Sequence, residues 1–443
     1  MQNPVTTTPT PTPSSTTTQP QCSSSSSSLS SFLTTTLFRD PKPILYTFLL
    51  ISLFSILLIL SLTSSSSSTH TRPDPFLYPT HQTHRIIYDQ DKTTPPPPSI
   101  AYLISGSKGD SSRILRLLSA TYHPLNHYLL HLDPSAPHSD RANLALVVQS
   151  NPIFKAAQNV YVMGKPDFVY SKGSSPVSFT LHAASILIRL SLHWDWFVSL
   201  SADSYPLVTQ DDLLHIMSFL PKDMNFVNHS SYIGWKESKK LKPIIVDPGL
   251  YLSEGTEMFY ATQKRDLPSA YRLFTGSSFA ILSRNFMEFC ILGVDNLPRI
   301  LLMYFSNTPS SLSNYFPTVL CNSRQFNKTV INQDLLYAVY DSHRNDIRPL
   351  NSTDFDDLIN SGAAFAKKFK QDDPVLDLID QKILGRSPRS VVPGGWCLGE
   401  PGNNTCLTWG DASILRPGTG SQRLEKAIVE LLSNGTFRSR QCI

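Results

Sequence analysis

The chain has 443 residues, with 38 Lys or Arg against 34 Asp or Glu, so its formal net charge at pH 7 is +4. No block of consecutive basic residues accompanies this small excess, which sets nucleic-acid binding aside as a function class. Only 16% of the residues are charged, against about 25% in typical globular proteins. Polar, uncharged segments at the N-terminal end explain part of this difference.

One uninterrupted apolar run, residues 44–62, stands between two polar segments. It is uncharged and about as long as a helix that crosses a ~30 Å hydrocarbon core. Arg39 and Lys42 precede the run and the next basic residue is Arg72, so the positive-inside bias leaves the N-terminus in the cytosol. A cleaved signal peptide is the alternative, but such peptides lie closer to the N-terminus and end in small residues. The run predicts a single-pass, type II signal anchor.

The remainder of the chain divides by composition into a tail, a stem and one large domain. Residues 1–43 are mostly Ser, Thr, Pro and Gln and predict a disordered cytosolic tail. Residues 63–98 are Ser/Thr/Pro-rich and end in four prolines, which favours an extended stem. Residues 99–443 are long enough for one large lumenal domain. Five N-x-S/T sequons follow the anchor, which agrees with lumenal exposure and glycosylation: Asn228, Asn327, Asn351, Asn403 and Asn434.

Six cysteines are present, and five of them follow the predicted anchor. The lumen permits disulfides, and an odd number leaves at least one thiol without an internal partner. Cys397 and Cys406 flank a short Gly/Asn-rich loop and are the predicted pair. The spacing C-x-x-C, which is typical of metal sites, is absent. The other four cysteines are Cys22, Cys290, Cys321 and Cys442.

Short apolar runs alternate with stretches of helical periodicity from Ser99 onward. This β-α-β order predicts a parallel sheet with helices on both faces, whose ligands bind at the carboxyl ends of the strands. That edge gathers residues 105–109, Asp133 and residues 202–205. The predicted strands are 100–105, 127–132, 160–162 and 196–201, the predicted helices lie near 141–149 and 179–192, and Thr209 caps a further helix.

The second half of the domain is less regular. Thr275, Gly276 and Ser277 follow a short apolar run, where glycine permits close backbone approach to a sugar; a plain β-turn is the alternative. Trp235 and Trp396 are candidates for stacking on a sugar face, and burial in the core is the alternative for each.

One anchor, a stem and a lumenal α/β domain form the layout of a Golgi glycosyltransferase. Transfer from a nucleotide sugar requires charge neutralisation at the departing diphosphate and a base near the acceptor hydroxyl. Metal-dependent transferases commonly place Asp-x-Asp just after an apolar strand, but here that position holds the single acid Asp203. Asp89 and Asp91 lie in the stem, and residues 354–356 (DFD) stand at an apparent helix start, where acids favour capping. The sequence therefore predicts no metal cofactor, with cationic side chains in its place.

Several segments together resemble the plant branch of the core-2/I-branching β-1,6-N-acetylglucosaminyltransferase family, glycosyltransferase family 14. The resemblance implies a GT-A-type, Rossmann-like α/β fold, inversion at the anomeric carbon, a UDP-sugar donor and no metal. In plant relatives it implies transfer of glucuronic acid from UDP-glucuronic acid onto arabinogalactan-protein galactan, with N-acetylglucosamine as the other candidate sugar. The segments are 100–133, 199–215 (SLSADSYPLVTQDDLLH), 242–252, 273–284 (LFTGSSFAILSR), 362–369 (GAAFAKKF), 372–380 and 415–424.

The resemblance also implies roles for individual residues. Lys368, in the segment similar to F-A-x-K-F, is the implied diphosphate ligand, although a solvated surface pair with Lys367 is the alternative. The second phosphate-binding cation falls near Arg348, some twenty residues earlier. Arg416 and Arg423 are further cations that could equally support the C-terminal fold.

The predicted uridine site lies at the ends of the first two strands. Ser105 and Lys108 belong to the loop after the first strand, and Asp133 ends the second; the alternative for Asp133 is a turn residue before Pro134. The predicted sugar contacts are Thr275, Gly276 and Ser277.

Two departures from the family pattern affect the candidate catalytic residues. Plant relatives carry S-S-P-E-G-Y-F, whose Glu is the implied base, whereas residues 310–316 read SSLSNYF and place Ser313 at that position. The common order S-D-Y-P appears as D-S-Y-P, which shifts the acid to Asp203. A serine hydroxyl cannot act as a base near neutral pH without another group to take its proton. The candidate substitute bases are Asp203, Glu254, Glu257 and Asp334.

Two functions follow from this pattern. The first is an active Golgi type II glycosyltransferase with a UDP-sugar donor and a glycan or glycoprotein acceptor, anchored through residues 44–62. The second is a non-catalytic homologue that binds glycan or forms a complex with another Golgi transferase, as the substitution at Ser313 suggests. A hydrolase is set aside, because the sequence offers neither paired carboxylates in a candidate site nor G-x-S-x-G.

Overall fold

The structure is a computed structural model that describes residues 50–56, 74–78, 96–251, 257–341, 346–387, 389–399, 405–433, 435, 437 and 441–442. The chain divides into two compact units, Met1–Arg72 and Pro73–Ile443. In the first unit, residues 50–56 are helical and exposed; the predicted tail and the remainder of the predicted anchor lie outside the described residues. No helix within the described ranges is long and apolar enough to cross a membrane.

The second unit alternates strands and helices. Its strands are β1 (Ile100–Gly106), β2 (His127–Leu132), β3 (Val160–Val162), β4 (Trp196–Ser201), β5 (Ser204–Pro206), β6 (Asn225–Phe226), β7 (His229–Ser230), β8 (Pro243–Val246), β9 (Phe259–Lys264), β10 (Thr275–Gly276), β11 (Ile281–Ser283), β12 (Val330–Ile331), β13 (Leu336–Tyr337) and β14 (Phe365–Lys367). Its helices are α1 (Ser111–Ala120), α2 (His138–Ser150), α3 (Pro152–Ala157), α4 (Ser175–Leu190), α5 (Gln210–Met217), α6 (Trp235–Leu241), α7 (Arg284–Ile291), α8 (Asn296–Phe305), α9 (Leu312–Asn322), α10 (Phe355–Asn360), α11 (Pro374–Lys382) and α12 (Thr419–Leu432).

The main sheet has seven strands in the order β12-β6-β11-β4-β1-β2-β3. Six of them run parallel, and β11 runs antiparallel to both of its neighbours. The predicted parallel sheet is therefore confirmed for the first half of the domain, and the reversed strand comes from the less regular second half. A smaller sheet has three strands in the order β13-β14-β5, and its strand β5 follows β4 in the chain.

The sheet separates two hydrophobic cores, as expected when successive side chains of a strand point to opposite faces. Ile100, Tyr102 and Ile104 of β1 lie in one core, whereas Ala101 and Leu103 lie in the other. Helices α1, α2, α5, α11 and α12 contribute to the first core, and α4, α7, α8 and α9 to the second. The prediction of helices on both faces is confirmed.

Helix capping agrees with the sequence at two positions. The Thr209 hydroxyl accepts the backbone N–H of Asp212 at 3.1 Å, and the Asp212 carboxylate binds back to Thr209, which forms a capping box. Asn351 and Asp354 form a second capping box at the turn before α10. The capping interpretation of the DFD segment is confirmed.

Two disulfides join the described cysteines. The predicted bridge between Cys397 and Cys406 is present. Cys321 in α9 pairs with Cys442 near the C-terminus, a bridge of sequence separation 121 that the sequence did not predict. Cys290 remains a free, half-buried thiol. The odd cysteine expected from the count is therefore Cys290.

Part of the predicted stem packs against the sheet. Residues 74–78 lie beside β3, where Leu77 forms an antiparallel bridge with Met163. The Asp74 carboxylate forms an ion pair with Arg189 of α4 at 2.7 Å. The compact unit therefore begins before the prolines that end the predicted stem.

Candidate active site

The loops after β1 and β2 meet at the carboxyl edge of the sheet, as predicted. The Asp133 N–H donates to the Gly106 carbonyl at 3.0 Å, and the Lys108 N–H donates to the Ser135 hydroxyl at 3.2 Å. Asp133 is half-buried, and its carboxylate accepts the N–H and the hydroxyl of Ser135. Ser105 lies between these loops at the end of β1, and the Lys108 side chain is exposed. The loop geometry brings three predicted nucleotide-site residues together, while also giving Asp133 the turn role that was its alternative.

Asp203 lies at the end of β4, next to the segment that contains Lys368. The Ser201 hydroxyl donates to the Asp203 carboxylate, and the Lys367 ammonium lies 3.9 Å from the same oxygen. The Asp203 carbonyl accepts the Phe369 N–H at 2.9 Å. Antiparallel pairing of β5 with β14 produces this proximity across more than 160 residues of sequence. Asp203, the acid of the D-S-Y-P segment, therefore has the cation Lys367 as its neighbour.

Lys368 is half-buried, and its carbonyl accepts the Leu350 N–H at 2.8 Å. In the described part of the chain, no acidic side chain forms an ion pair with its ammonium, whereas Lys367 is beside Asp203. Of the two adjacent lysines, Lys368 is therefore the one whose charge remains available to an anionic ligand.

Arg348 lies two residues before Leu350, which forms an isolated parallel β-bridge with Phe369, the residue after Lys368. Its guanidinium binds both carboxylate oxygens of Asp354, one of them at 2.9 Å. These hydrogen bonds lower the pKa of the Asp354 carboxyl below its usual range. Arg348 is therefore near the predicted diphosphate ligand but already has an anionic partner.

Thr275 and Gly276 form the short strand β10, which pairs with β7, instead of a plain turn. A Cβ atom added to Gly276 would lie 1.9 Å from the Asn228 carbonyl oxygen, so only glycine fits this close backbone approach. Ser277 follows, its hydroxyl accepts the Phe279 N–H at 3.1 Å, and its side chain lowers the pKa of the buried Asp334 carboxyl. The glycine therefore serves strand packing, and Ser277 presents the link to an acid that the sequence named only as one of four substitutes.

Ser313 is half-buried in the first turn of α9, and its N–H donates to the Ser310 carbonyl at 3.3 Å. The next residue, Asn314, is 5% exposed, and its side-chain oxygen has no hydrogen-bond partner among the described residues. Sequence reasoning missed Asn314, although it replaces the Gly of S-S-P-E-G-Y-F just as Ser313 replaces the Glu. An unpaired, buried acceptor is a candidate for binding a substrate hydroxyl.

The remaining two predicted cations differ in their contacts. The Arg423 guanidinium donates to the Leu207 and Ile359 carbonyls, which matches the structural alternative for this residue. The Arg416 residue is exposed, and its backbone N–H donates to the carboxylate of Asp211.

The two tryptophans have opposite environments. Trp396 is fully buried in the core, so a sugar cannot stack on it. Trp235 is 74% exposed, and the Lys239 ammonium lies 4.9 Å from its ring centroid. Among the other candidate bases, Glu257 is exposed and Glu254 lies outside the described residues.

A pocket that sequence reasoning missed lies beside Phe369, between α1 and α11. The Arg113 guanidinium at its wall donates to the Phe369 carbonyl at 2.9 Å. Tyr205, another wall residue, hydrogen-bonds the buried Asp380, and burial raises the pKa of Tyr205 to about 12. The pocket continues the site toward α1; its lining residues are Ser112, Arg113, Arg116, Ala202, Ser204, Tyr205, Phe369, Asp372 and Leu376.

One group of potential metal ligands occurs within the described ranges, and it combines His229 with Cys321 and Cys442. The two cysteines are joined as a disulfide, so they offer no thiolate. No comparable group of carboxylates lies at the carboxyl edge among the described residues.

Comparison with known proteins identifies the family of the chain. The Core-2/I-Branching enzyme family matches residues 100–357. The chain is 47% identical over 361 residues to Beta-glucuronosyltransferase GlcAT14A of Arabidopsis thaliana, covering 81% of each protein. It is 49% identical over 346 residues to Beta-glucuronosyltransferase GlcAT14B of the same plant, covering 77% of this chain and 80% of that protein. Xylosyltransferase 1 of Rattus norvegicus is 25% identical over 72% of this chain, which spans 38% of that relative.

The family match and these relatives identify the chain, which has a mixed α/β fold with a mainly parallel central sheet, as a glycosyltransferase. It belongs to the Core-2/I-Branching enzyme family.

Proposed function

We propose that this glycosyltransferase moves glucuronic acid from UDP-glucuronic acid to a galactan-type glycan such as that of arabinogalactan proteins. The observation that carries the proposal is the 47–49% identity to two β-glucuronosyltransferases over more than three quarters of the chain. N-acetylglucosamine, named by the family of branching enzymes, is the alternative sugar.

The proposed reaction is a single displacement on a GT-A-type scaffold. The acceptor oxygen attacks C1 of the sugar, the bond from C1 to the phosphate oxygen breaks, UDP leaves and the configuration inverts. Negative charge develops on the departing diphosphate, and the unpaired ammonium of Lys368 is the group in the described site that stabilises it. Arg348 assists if its guanidinium is shared between Asp354 and the phosphate.

We infer that no metal ion takes part in this step. The support is the chemistry of the donor set, since Asp203 stands alone at the end of β4 and is already beside a lysine. Transfer in the presence of EDTA tests this inference, and loss of transfer on chelation, with recovery on adding Mn²⁺ or Mg²⁺, would contradict it.

We also propose that the chain is a type II protein of the Golgi membrane with its catalytic unit in the lumen. The apolar run 44–62 and its basic N-terminal flank support this orientation. Two of the sequons, Asn228 and Asn351, are exposed in the folded unit and so are accessible to glycosylation. Protease protection and endoglycosidase sensitivity in isolated microsomes test the topology; glycan-free Asn228 and Asn351 with protease access to the C-terminal unit would contradict it.

A second candidate function is a non-catalytic homologue that binds glycan or assembles with an active transferase. The specific observation in its favour is Ser313, a hydroxyl where relatives carry the implied catalytic Glu. A wild-type chain that binds UDP and shows no transfer, together with a Ser313→Glu variant that gains transfer, would favour this candidate.

The deciding experiment uses the full-length, detergent-solubilised chain. UDP, UDP-glucuronic acid and UDP-N-acetylglucosamine are titrated in EDTA, and release of UDP is followed with and without galacto-oligosaccharides. Acceptor-dependent turnover of UDP-glucuronic acid supports the proposal, whereas absence of nucleotide binding by a folded chain overturns it.

A further inference from the structure

Buried carboxylates are costly unless hydrogen bonds or cations compensate for the lost hydration. The described residues include six buried aspartates, so the partner of each can be identified. They are Asp211, Asp212, Asp247, Asp334, Asp354 and Asp380.

Five of the six carboxylates have partners that explain their burial. Asp354 binds Arg348, and Asp380 binds the guanidinium of Arg386 at 2.6 Å. The other three carboxylates accept hydrogen bonds from backbone N–H groups. The donors are Ser174, Ser175 and Gly249 for Asp247. They are Gly395 and Arg416 for Asp211, and Thr209 and Gly418 for Asp212.

Asp334 has fewer compensating contacts than these five. It is 5% exposed, its carboxylate accepts one hydrogen bond within the described part of the chain, from the Leu336 N–H at 3.2 Å, and it forms no ion pair there. Burial raises the pKa of the Asp334 carboxyl, and the contacts with Ser277 and Leu336 only partly oppose that effect. The acidic group that faces it is the phenol of Tyr340, whose own pKa is raised by burial and then by the charge of Asp334.

Asp334 lies at the same edge of the main sheet as the candidate active site. It follows β12, whose carboxyl end points to the same edge as those of β1 and β4 because these strands run in the same direction. Ser277, whose side chain lowers the pKa of Asp334, follows β10, and Phe274 just before β10 donates its N–H to the Thr318 hydroxyl of α9 at 3.0 Å. Asp334 is therefore linked, through the β10 segment, to the helix whose first turn carries Ser313.

We propose that Asp334 is the general base of this transferase and takes over the role of the carboxylate that is missing at position 313. The inference rests on the proposed function above. Of the other described candidates, Asp203 is engaged by Ser201 and Lys367, and Glu257 is exposed to solvent.

As the acceptor oxygen bonds to C1 of the sugar, its proton passes to the Asp334 carboxylate. The bond between C1 and the phosphate oxygen breaks, and its electron pair leaves with UDP. The protonated Asp334 then releases its proton to solvent before the next turnover. A carboxylate of elevated proton affinity is a better base for this transfer than an ordinary surface aspartate.

The test compares Asp334→Asn with the wild type in the full-length chain. We expect kcat to fall about 10²–10⁴-fold, the range for removal of a general base, with UDP affinity changed less than about threefold. Asp356→Asn, an exposed acid in the first turn of α10, is the matched control and keeps wild-type kcat. The double variant Asp334→Asn/Ser313→Glu returns a carboxylate to the family position, so we expect it to recover part of the lost rate.

The pH profile separates catalysis from structural support. Wild-type kcat/KM falls on the acid side as Asp334 becomes protonated, and the Asp334→Asn variant lacks that limb. If Asp334→Asn fails to fold, Ser277→Ala provides the second test, because the Ser277 side chain lowers the pKa of Asp334, so its removal raises that pKa further and moves the acid limb to higher pH.

Three results would overturn the assignment, and they are distinguishable. Wild-type transfer with equal kcat in Asp334→Asn rejects the base while the proposed function survives. UDP binding without any transfer rejects the base and favours the non-catalytic alternative. A folded wild-type chain that binds no UDP rejects both proposals.

Discussion

The Lys367 ammonium lies 3.9 Å from the Asp203 carboxylate, across the strand pairing that joins β14 to β5. The two adjacent lysines therefore differ: the Lys367 ammonium is beside a carboxylate of the protein, whereas the Lys368 ammonium has no acidic partner in the described structure. This difference predicts different consequences for removing the two charges.

Lys368→Ala should weaken UDP binding about 10–100-fold, because a hydrogen bond to a charged group contributes about 1.5–3 kcal/mol. Its melting temperature should stay close to that of the wild type, since no ion pair is lost. Lys367→Ala is the matched control and should affect UDP affinity less. Calorimetric titration in EDTA measures both, and unchanged affinity in Lys368→Ala would remove this residue from the donor site.

Arg348→Ala should destabilise the folded chain in a pH-dependent way. Arg348 holds the pKa of Asp354 below its unfolded value, so the stabilising contribution is present above the usual Asp range near pH 4 and is lost as pH falls through the folded value. Thermal melting of the variant and the wild type should therefore differ near neutral pH and converge in acid. Arg324→Ala, at an exposed position, is the control. A constant difference across the pH range would contradict the assignment.

Gly276→Ala should be destabilised by about 1–3 kcal/mol, the usual range for overpacking, because its Cβ would overlap the Asn228 carbonyl. Gly435→Ala, where no atom lies within 4 Å of the added Cβ, is the control. Urea unfolding measures the difference. Equal midpoints for the two variants would show that β10 and β7 separate at little cost.

Loss of the bridge from Cys321 to Cys442 should lower the free energy of unfolding by about 2–4 kcal/mol, because the bridge closes a long loop in the unfolded chain. Cys442→Ser tests this by denaturant unfolding. Cys290→Ser removes the free thiol and is the control for changing a cysteine as such. A Cys442→Ser chain as stable as the wild type would reject the bridge as a stabilising element.

The sequence predicted the elements whose signals are local. Strands β2 and β4 were located to the residue, because each is a short, mostly apolar run that ends at a turn, and Thr209 identified a helix start through its own side chain. The two-residue strands β10 and β13 have no such signal, since they are too short for periodicity to be read.

The sequence predicted several residues of the candidate site but not the contacts between them. The sequence predicted the segments that carry Asp133, Asp203 and Lys368; the places of Asp133 and Asp203 at the carboxyl edge follow from strand order, whereas Lys368 follows β14 of the smaller sheet and was implied by the family resemblance. The contacts that decide their roles were not predictable. Asp203 meets Lys367 only after distant segments fold together, and the contact of Arg348 with Asp354, six residues later, depends on the backbone turn between them. The burial of Asp334 likewise arises from tertiary packing around an otherwise polar segment.

Acceptor-dependent release of UDP from UDP-glucuronic acid, measured in EDTA with the full-length chain and galacto-oligosaccharides, decides between an active transferase and a binding homologue. We predict turnover that persists in EDTA, falls about 10²–10⁴-fold in Asp334→Asn and is faster with UDP-glucuronic acid than with UDP-N-acetylglucosamine. Saturable UDP binding with no release of product from either donor would contradict an active transferase.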